Sequence, residues 1–128
     1  MKYLTHRMQF FILAAWIPLV MTIFALIHDR AWAAIIAGVG FIFWPSLFLV
    51  LEIYNKNLRS KIHIAGCIQF LILAAIPIFL LRVLNWRINF NELSLFGINA
   101  IALHKFSNIS YLVMTIAIVY SSYLNKRK

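Results

Sequence analysis

Glu52 and Gln69 are the polar side chains whose positions could carry chemistry through an apolar environment. Glu52 directly follows the uncharged run Ala31–Leu51, and Gln69 lies inside the uncharged run Ile62–Leu81. A carboxylate at such a depth is the kind of group that relays protons or holds cations in membranes. A glutamine inside a span could line the same path, or hydrogen-bond to a neighbouring helix. The two residues define a candidate ion path. The plainer expectation for Glu52 is that it reaches the interface beside Tyr54 and Lys56.

The four histidines are His6, His28, His63 and His104. A metal site, or a haem held by two histidines, needs two of them facing each other at one depth. With four antiparallel spans, His63 lies near one face while His28 and His104 lie near the other. The geometric possibility is therefore His28–His104, but neither belongs to a recognisable motif. No metal and no cofactor is expected. Cys67 is the single cysteine, so it has no partner for an internal disulfide and reads as a buried inert thiol. The chain contains no H-E-x-x-H, C-x-x-C, G-x-S-x-G or Gly-rich phosphate loop. No catalytic residue is assigned, and the chain does not read as an enzyme.

The elements that must position these residues are four stretches without Asp, Glu, Lys or Arg: Met8–Ile27, Ala31–Leu51, Ile62–Leu81 and Phe106–Leu124. Each has about the 20 residues that a helix needs to cross the hydrocarbon core. Hydrophobic residues make up 64% of the chain, more than a soluble fold of this size could bury. The expected fold is all-α: one polytopic domain, residues 1–128, with spans at about 8–27, 31–51, 62–81 and 106–124. The basic start and Ala31-Trp32-Ala33 resemble a signal peptide and its cleavage site. The apolar run is too long for that, and His28-Asp29-Arg30 intervenes, so an uncleaved first helix is expected.

The net charge of +9 would suggest nucleic acid in a soluble protein. Here the basic residues flank the spans, where they set topology and touch lipid headgroups, and no nucleic-acid partner is expected. Lys2, Arg7, Lys56, Arg59, Lys61, Lys126, Arg127 and Lys128 fall on one side of the membrane. Arg30, Arg82, Arg87 and Lys105 fall on the other. This bias predicts that both termini are cytoplasmic. Small size and compact loops suggest a bacterial inner membrane. Tyr54, Tyr120 and Tyr123 then mark the inner interface, and Trp32, Trp86 and Tyr111 the outer one.

Small residues mark the expected contact faces. Ala33 and Ala37, and likewise Ala34 and Gly38, recur at helical spacing on span two; Ser107, Ser110, Met114, Ala117 and Ser121 form a stripe on span four. Pro18, Pro45 and Pro77 are read as kinks. In the third connection, Asn91 could cap a short helix beginning at Glu92 and ending near His104 and Lys105. Leu93, Phe96, Ala100 and Ile101 would share one side of it. It is too short to span and is expected to lie in the outer interface.

This catalytically silent chain resembles none of the four-span transporters weighed against it. Small multidrug exporters carry a glutamate in the first span, and Met8–Ile27 has no acid. Fluoride channels need polar, Gly-rich spans, and this chain has 4 glycines. The leading expectation is a non-enzymatic protein that works by helix–helix contact, as an accessory subunit or an immunity-type protective protein. Its partners would be membrane lipids and another integral membrane protein, or a second copy of itself. Arg87, Phe90, Glu92, Leu93, Phe96 and Ile101 are the candidate partner-binding residues, with the apolar four as anchors and Arg87 and Glu92 fixing orientation. The alternative is a small oligomeric transporter or channel with Glu52 and Gln69 in its path.

Overall fold

The computed structural model describes residues 5–54, 60–86, 88 and 92–126. It is all-α, with four long apolar helices: α1 (His6–Leu26), α2 (Arg30–Tyr54), α3 (Lys61–Leu84) and α4 (Ala100–Lys126). All four are long and apolar enough to cross a membrane. Their directions alternate, so the start of α1, the end of α2, the start of α3 and the end of α4 share one end of the bundle. That end is called the terminal end below, and the opposite one the hairpin end.

Local signals set the helix starts. Thr5 accepts a hydrogen bond from the Met8 amide, Asp29 from Ala31, Ser60 from His63 and Asn99 from Ala102. Each side-chain oxygen thereby pairs an amide that the first helical turn leaves without a partner. Pro18 leaves the Ala14 carbonyl without its helical amide donor, and separately the Thr22 hydroxyl donates to the Pro18 carbonyl. Pro77 is accommodated differently. The turn before it, Leu71–Ala75, is a π-helix, in which the Ile76 amide reaches back to the Leu71 carbonyl. The wider turn makes room for a ring that would otherwise crowd the carbonyl four residues back.

The core is a cluster of buried side chains that includes Leu13, Phe48, Phe70, Met114 and Ile118. Ala33 and Ala37 are buried, as the small-residue spacing on span two predicts. So is most of the span-four stripe: Ser110, Met114, Ala117 and Ser121 all face inward. Helix α4 packs closely on α3, where a Cβ on Gly66 would lie 2.7 Å from that of Ala117. Gln69 and Ser110 close the same interface with two hydrogen bonds, Gln69 Nε2 to the Ser110 carbonyl at 2.8 Å and Ser110 Oγ to Gln69 Oε1 at 2.6 Å. Tyr111 departs from its expected interfacial place. It is half-buried between Phe41 and Phe70, and its hydroxyl donates to the Leu13 carbonyl. Trp32 and Trp86, by contrast, meet edge to face at 5.5 Å near the hairpin end.

The third connection is not the expected short helix. Ser94–Leu95 and Ile98–Asn99 pair as a two-rung antiparallel hairpin. Phe96 and Gly97 turn the chain at φ 53° and 81°. Two successive positive φ values are the signature of a type I′ turn, which matches the twist of its strands. The chain then enters α4 at Ala100, capped by Asn99, so Ala100–Lys105 extend the fourth span rather than end a separate helix. The expected cap Asn91 lies outside the described residues.

Candidate functional site

Among the described residues, a cluster of polar side chains is buried at the terminal end, and three helices build it. His6 opens α1, Glu52 lies in the last turn of α2, and His63 lies in the first turn of α3. All three side chains are shut off from solvent. Glu52 Oε2 is 2.7 Å from His6 Nε2 and 3.8 Å from His63 Nε2. The two imidazole rings lie 4.9 Å apart, tilted by 31°.

A second layer holds these groups in place. The other carboxylate oxygen, Glu52 Oε1, accepts the Ser60 amide at 2.7 Å. That bond fixes the carboxylate against the start of α3 and explains why Glu52 turns inward. The expectation that it would stand at the interface beside Tyr54 and Lys56 is therefore corrected. Gln9, one turn beyond His6, places Oε1 2.6 Å from His63 Nε2 and is fully buried. On the other side of that ring, Cys67 Sγ lies 3.8 Å from Nδ1, a spacing of four residues along α3. The Ser121 hydroxyl donates to the Ala117 carbonyl. Its one proton is thus used, and its oxygen accepts from the Ser60 hydroxyl at 2.9 Å. Through Ser121 the fourth helix joins the network.

The arrangement matches a recognisable donor chemistry. One ligand atom each from His6, Glu52 and His63 lies within 4.8 Å of the others. In a tetrahedral zinc site with bonds of about 2.0–2.2 Å, neighbouring ligand atoms stand about 3.3 Å apart. The distances of 2.7 and 3.8 Å to Glu52 bracket that value. Two imidazoles and a carboxylate suit zinc and other first-row divalent metals, and three protein ligands leave a coordination position open. The Cys67 sulfur beside Nδ1 of His63 stands where ligating histidines commonly have a partner for the far nitrogen. A groove of about 310 Å³ between α1 and α4, with Phe10 and Tyr123 in its wall, reaches His6 from outside.

The other sequence-derived candidates are dispersed. Gln69 pairs with Ser110 deeper in the bundle and takes no part in the Glu52 network, so the two do not form one continuous path. Among the candidate anchors, Leu93 is turned inward and buried against Leu81 and Leu103, which corrects its expected role as an outward contact. Phe96 is 95% exposed at the hairpin tip, Ile101 is exposed on α4, and Glu92 is exposed. Arg87 and Phe90 lie outside the described residues. Sequence reasoning paired His28 with His104 and missed His6, Gln9 and His63 as a unit. The signal was present in the topology: these residues and Glu52 all fall within two turns of helix ends that alternation brings to the same side.

No known family model, curated protein or solved structure matches the chain.

Proposed function

We propose that this chain is a non-enzymatic integral membrane protein that binds one divalent transition-metal ion at the terminal end of its bundle. The carrying observation is the buried cluster of His6, Glu52 and His63 on three different helices. An ionisable residue enclosed within spans is costly, and it is retained chiefly where it pairs or functions. His6 Nε2, Glu52 Oε2 and His63 Nε2 would be the ligands. Binding would move the proton of His63 to Nδ1, towards Cys67, and release Gln9 from Nε2. The carboxylate offsets part of the charge of the ion, and the groove between α1 and α4 gives it access.

The excess of Lys and Arg at this end supports a cytoplasmic site, with both termini cytoplasmic and a bacterial inner membrane as the setting. A reporter fused after Lys128 tests the orientation: activity in a periplasm-sensing format would refute it. The metal reading is tested on purified protein by titration with Zn²⁺ and Co²⁺. One equivalent should bind, with the visible absorption of four-coordinate Co²⁺, and His6→Ala and His63→Ala should each abolish it. Unchanged binding in both variants, or none in the wild type, would leave the cluster as a staple between helices.

A second reading concerns the hairpin end. A phenylalanine held at positive φ and 95% exposed is an unfavourable choice for a passive turn, and it favours contact of Phe96 with another membrane protein or a second copy. Co-purification of a partner that Phe96→Asp abolishes would support this contact, and undiminished capture would exclude Phe96 from it.

A further inference from the structure

A second cavity, remote from the buried His6–Glu52–His63 cluster, lies in the half of the bundle near the hairpin end. Its volume is about 150 Å³, and all four helices line it. Phe24 of α1, Phe41 of α2 and Phe70 and Phe79 of α3 supply four aromatic rings. The room between them comes from small side chains, Ala34 on α2 and Ala74 and Ala75 on α3. Such residues normally let two helices close on one another. Here the Phe79 ring stands against Gly38, where a Cβ would lie 2.5 Å from it. The π-helical turn Leu71–Ala75 ends in the same wall.

Size limits the occupant: an apolar cavity of about 150 Å³ holds one benzene-sized molecule. Four phenylalanines favour a ring over an aliphatic group of the same volume, because edge-to-face and offset aromatic pairs gain beyond the area they bury. Polar groups lie at one end. His104 and Ser107 are three residues apart near the start of α4, so they are neighbours on one face of that helix. Both line the cavity, and among the described residues neither side chain makes a hydrogen bond. Ser107 is half-buried. A hydroxyl turned into an apolar wall is costly unless it is paired, and a ligand can pair it. Arg82 also borders the cavity but has an interaction of its own.

We propose that the cavity binds one neutral single-ring phenol, at a site independent of the metal cluster. The ring lies among Phe41, Phe70 and Phe79. Its hydroxyl lies towards α4, where it accepts from the Ser107 hydroxyl and donates to the His104 imidazole. The match is one of pattern: an apolar pocket with a few placed polar groups takes a ligand that is apolar with one polar substituent. A second fused ring or a long alkyl tail would exceed the volume.

The test is fluorine NMR of the full chain in detergent, titrated separately with 4-fluorophenol and fluorobenzene. 4-Fluorophenol should give one saturable bound resonance at one equivalent, distinct from that of ligand dissolved in the micelle. Fluorobenzene keeps the ring and lacks the hydroxyl, and it should bind at least about fivefold more weakly. Ser107→Ala should lower the affinity for 4-fluorophenol about fivefold, the loss of one neutral hydrogen bond, and leave fluorobenzene unchanged. Ala34→Leu, a half-buried position in the wall, should abolish binding of both by filling the cavity. Far-UV helicity of each variant reports folding. No saturable resonance in the wild type, or undiminished binding in folded Ala34→Leu, would overturn the proposal. Equal affinity for the two probes would overturn it too, by showing an apolar site that makes no use of the hydroxyl. So would displacement by cyclohexanol as effective as by phenol, since the aromatic wall would then not select a ring.

Discussion

Glu52 Oε2 sits 2.7 Å from Nε2 of His6, a residue 46 positions earlier, and both side chains are buried. The contact ties the end of α2 to the start of α1. With the bond from the Ser60 amide to Glu52 Oε1, one carboxylate links three helices.

Glu52→Gln should therefore be damaging, where an interfacial carboxylate would tolerate it. The amide keeps an oxygen for the Ser60 amide but loses the charge facing His6 and His63. Stoichiometric metal binding should disappear, and stability should fall by about 1–3 kcal/mol. Metal content by elemental analysis and reversible unfolding in mixed detergent are the measurements. Wild-type values for both would contradict the buried network.

Gln9→Ala should separate ligation from competition. Gln9 is not among the three proposed ligands, and its Oε1 lies 2.6 Å from His63 Nε2, the nitrogen the metal would take. Removing that competing contact should leave the stoichiometry at one and the affinity undiminished, and a large loss of affinity would show that Gln9 itself helps to hold the ion. Competition with a chromophoric chelator reads the change directly.

Metal binding should weaken as the pH falls. Protons and the metal compete for the same imidazole nitrogens, so acid favours the metal-free form and alkali the bound one. Affinity measured across a pH series by competition with a chelator checks this, and affinity that did not fall at any acid pH at which the protein stays folded would argue against histidine and carboxylate ligation.

Gly66→Val should loosen the contact between α3 and α4. Its Cβ would lie 2.7 Å from the Cβ of Ala117, and both atoms belong to packed helices that cannot rotate out of the way. Overpacking of this kind costs about 1–3 kcal/mol. Because Gln69 and Ser110 span the same interface, their hydrogen bonds should lengthen as well. A thermal shift as small as that of a surface substitution would show that the interface is looser than described.

Phe96→Asn should stabilise the hairpin. Asparagine before glycine is the preferred pair for a type I′ turn, and it accepts the positive φ of 53° more readily than phenylalanine does. The expected gain is about 0.5–1 kcal/mol, from the same backbone relief that compatible turn substitutions give. If Phe96 contacts a partner, the variant should at the same time lose it, so stability and capture would move in opposite directions.

The hairpin shows where a reading of the sequence goes astray. Leu93, Phe96, Ala100 and Ile101 have helical spacing, and Gly97 is the single interruption. Periodicity records which faces could be apolar, but not whether the chain keeps turning the same way. The two positive φ values at Phe96 and Gly97 break the helix, and Leu93 then buries itself against Leu81 and Leu103 instead of facing outward.

The number of spans, their approximate limits and the small-residue contact stripes are all determined by the sequence alone. They depend on local quantities: the length of an uncharged run against the thickness of a bilayer, and residue size at helical spacing. The meeting of His6, Gln9, Glu52 and His63 was decided by the tertiary structure. Each of these residues is unremarkable in its own segment, and they come together only because antiparallel helices rotate particular faces inward and the Ser60 amide draws the Glu52 carboxylate away from water. Hydropathy sets how deep a residue lies. Helix rotation and pairing, which depend on contacts between distant segments, set what it touches.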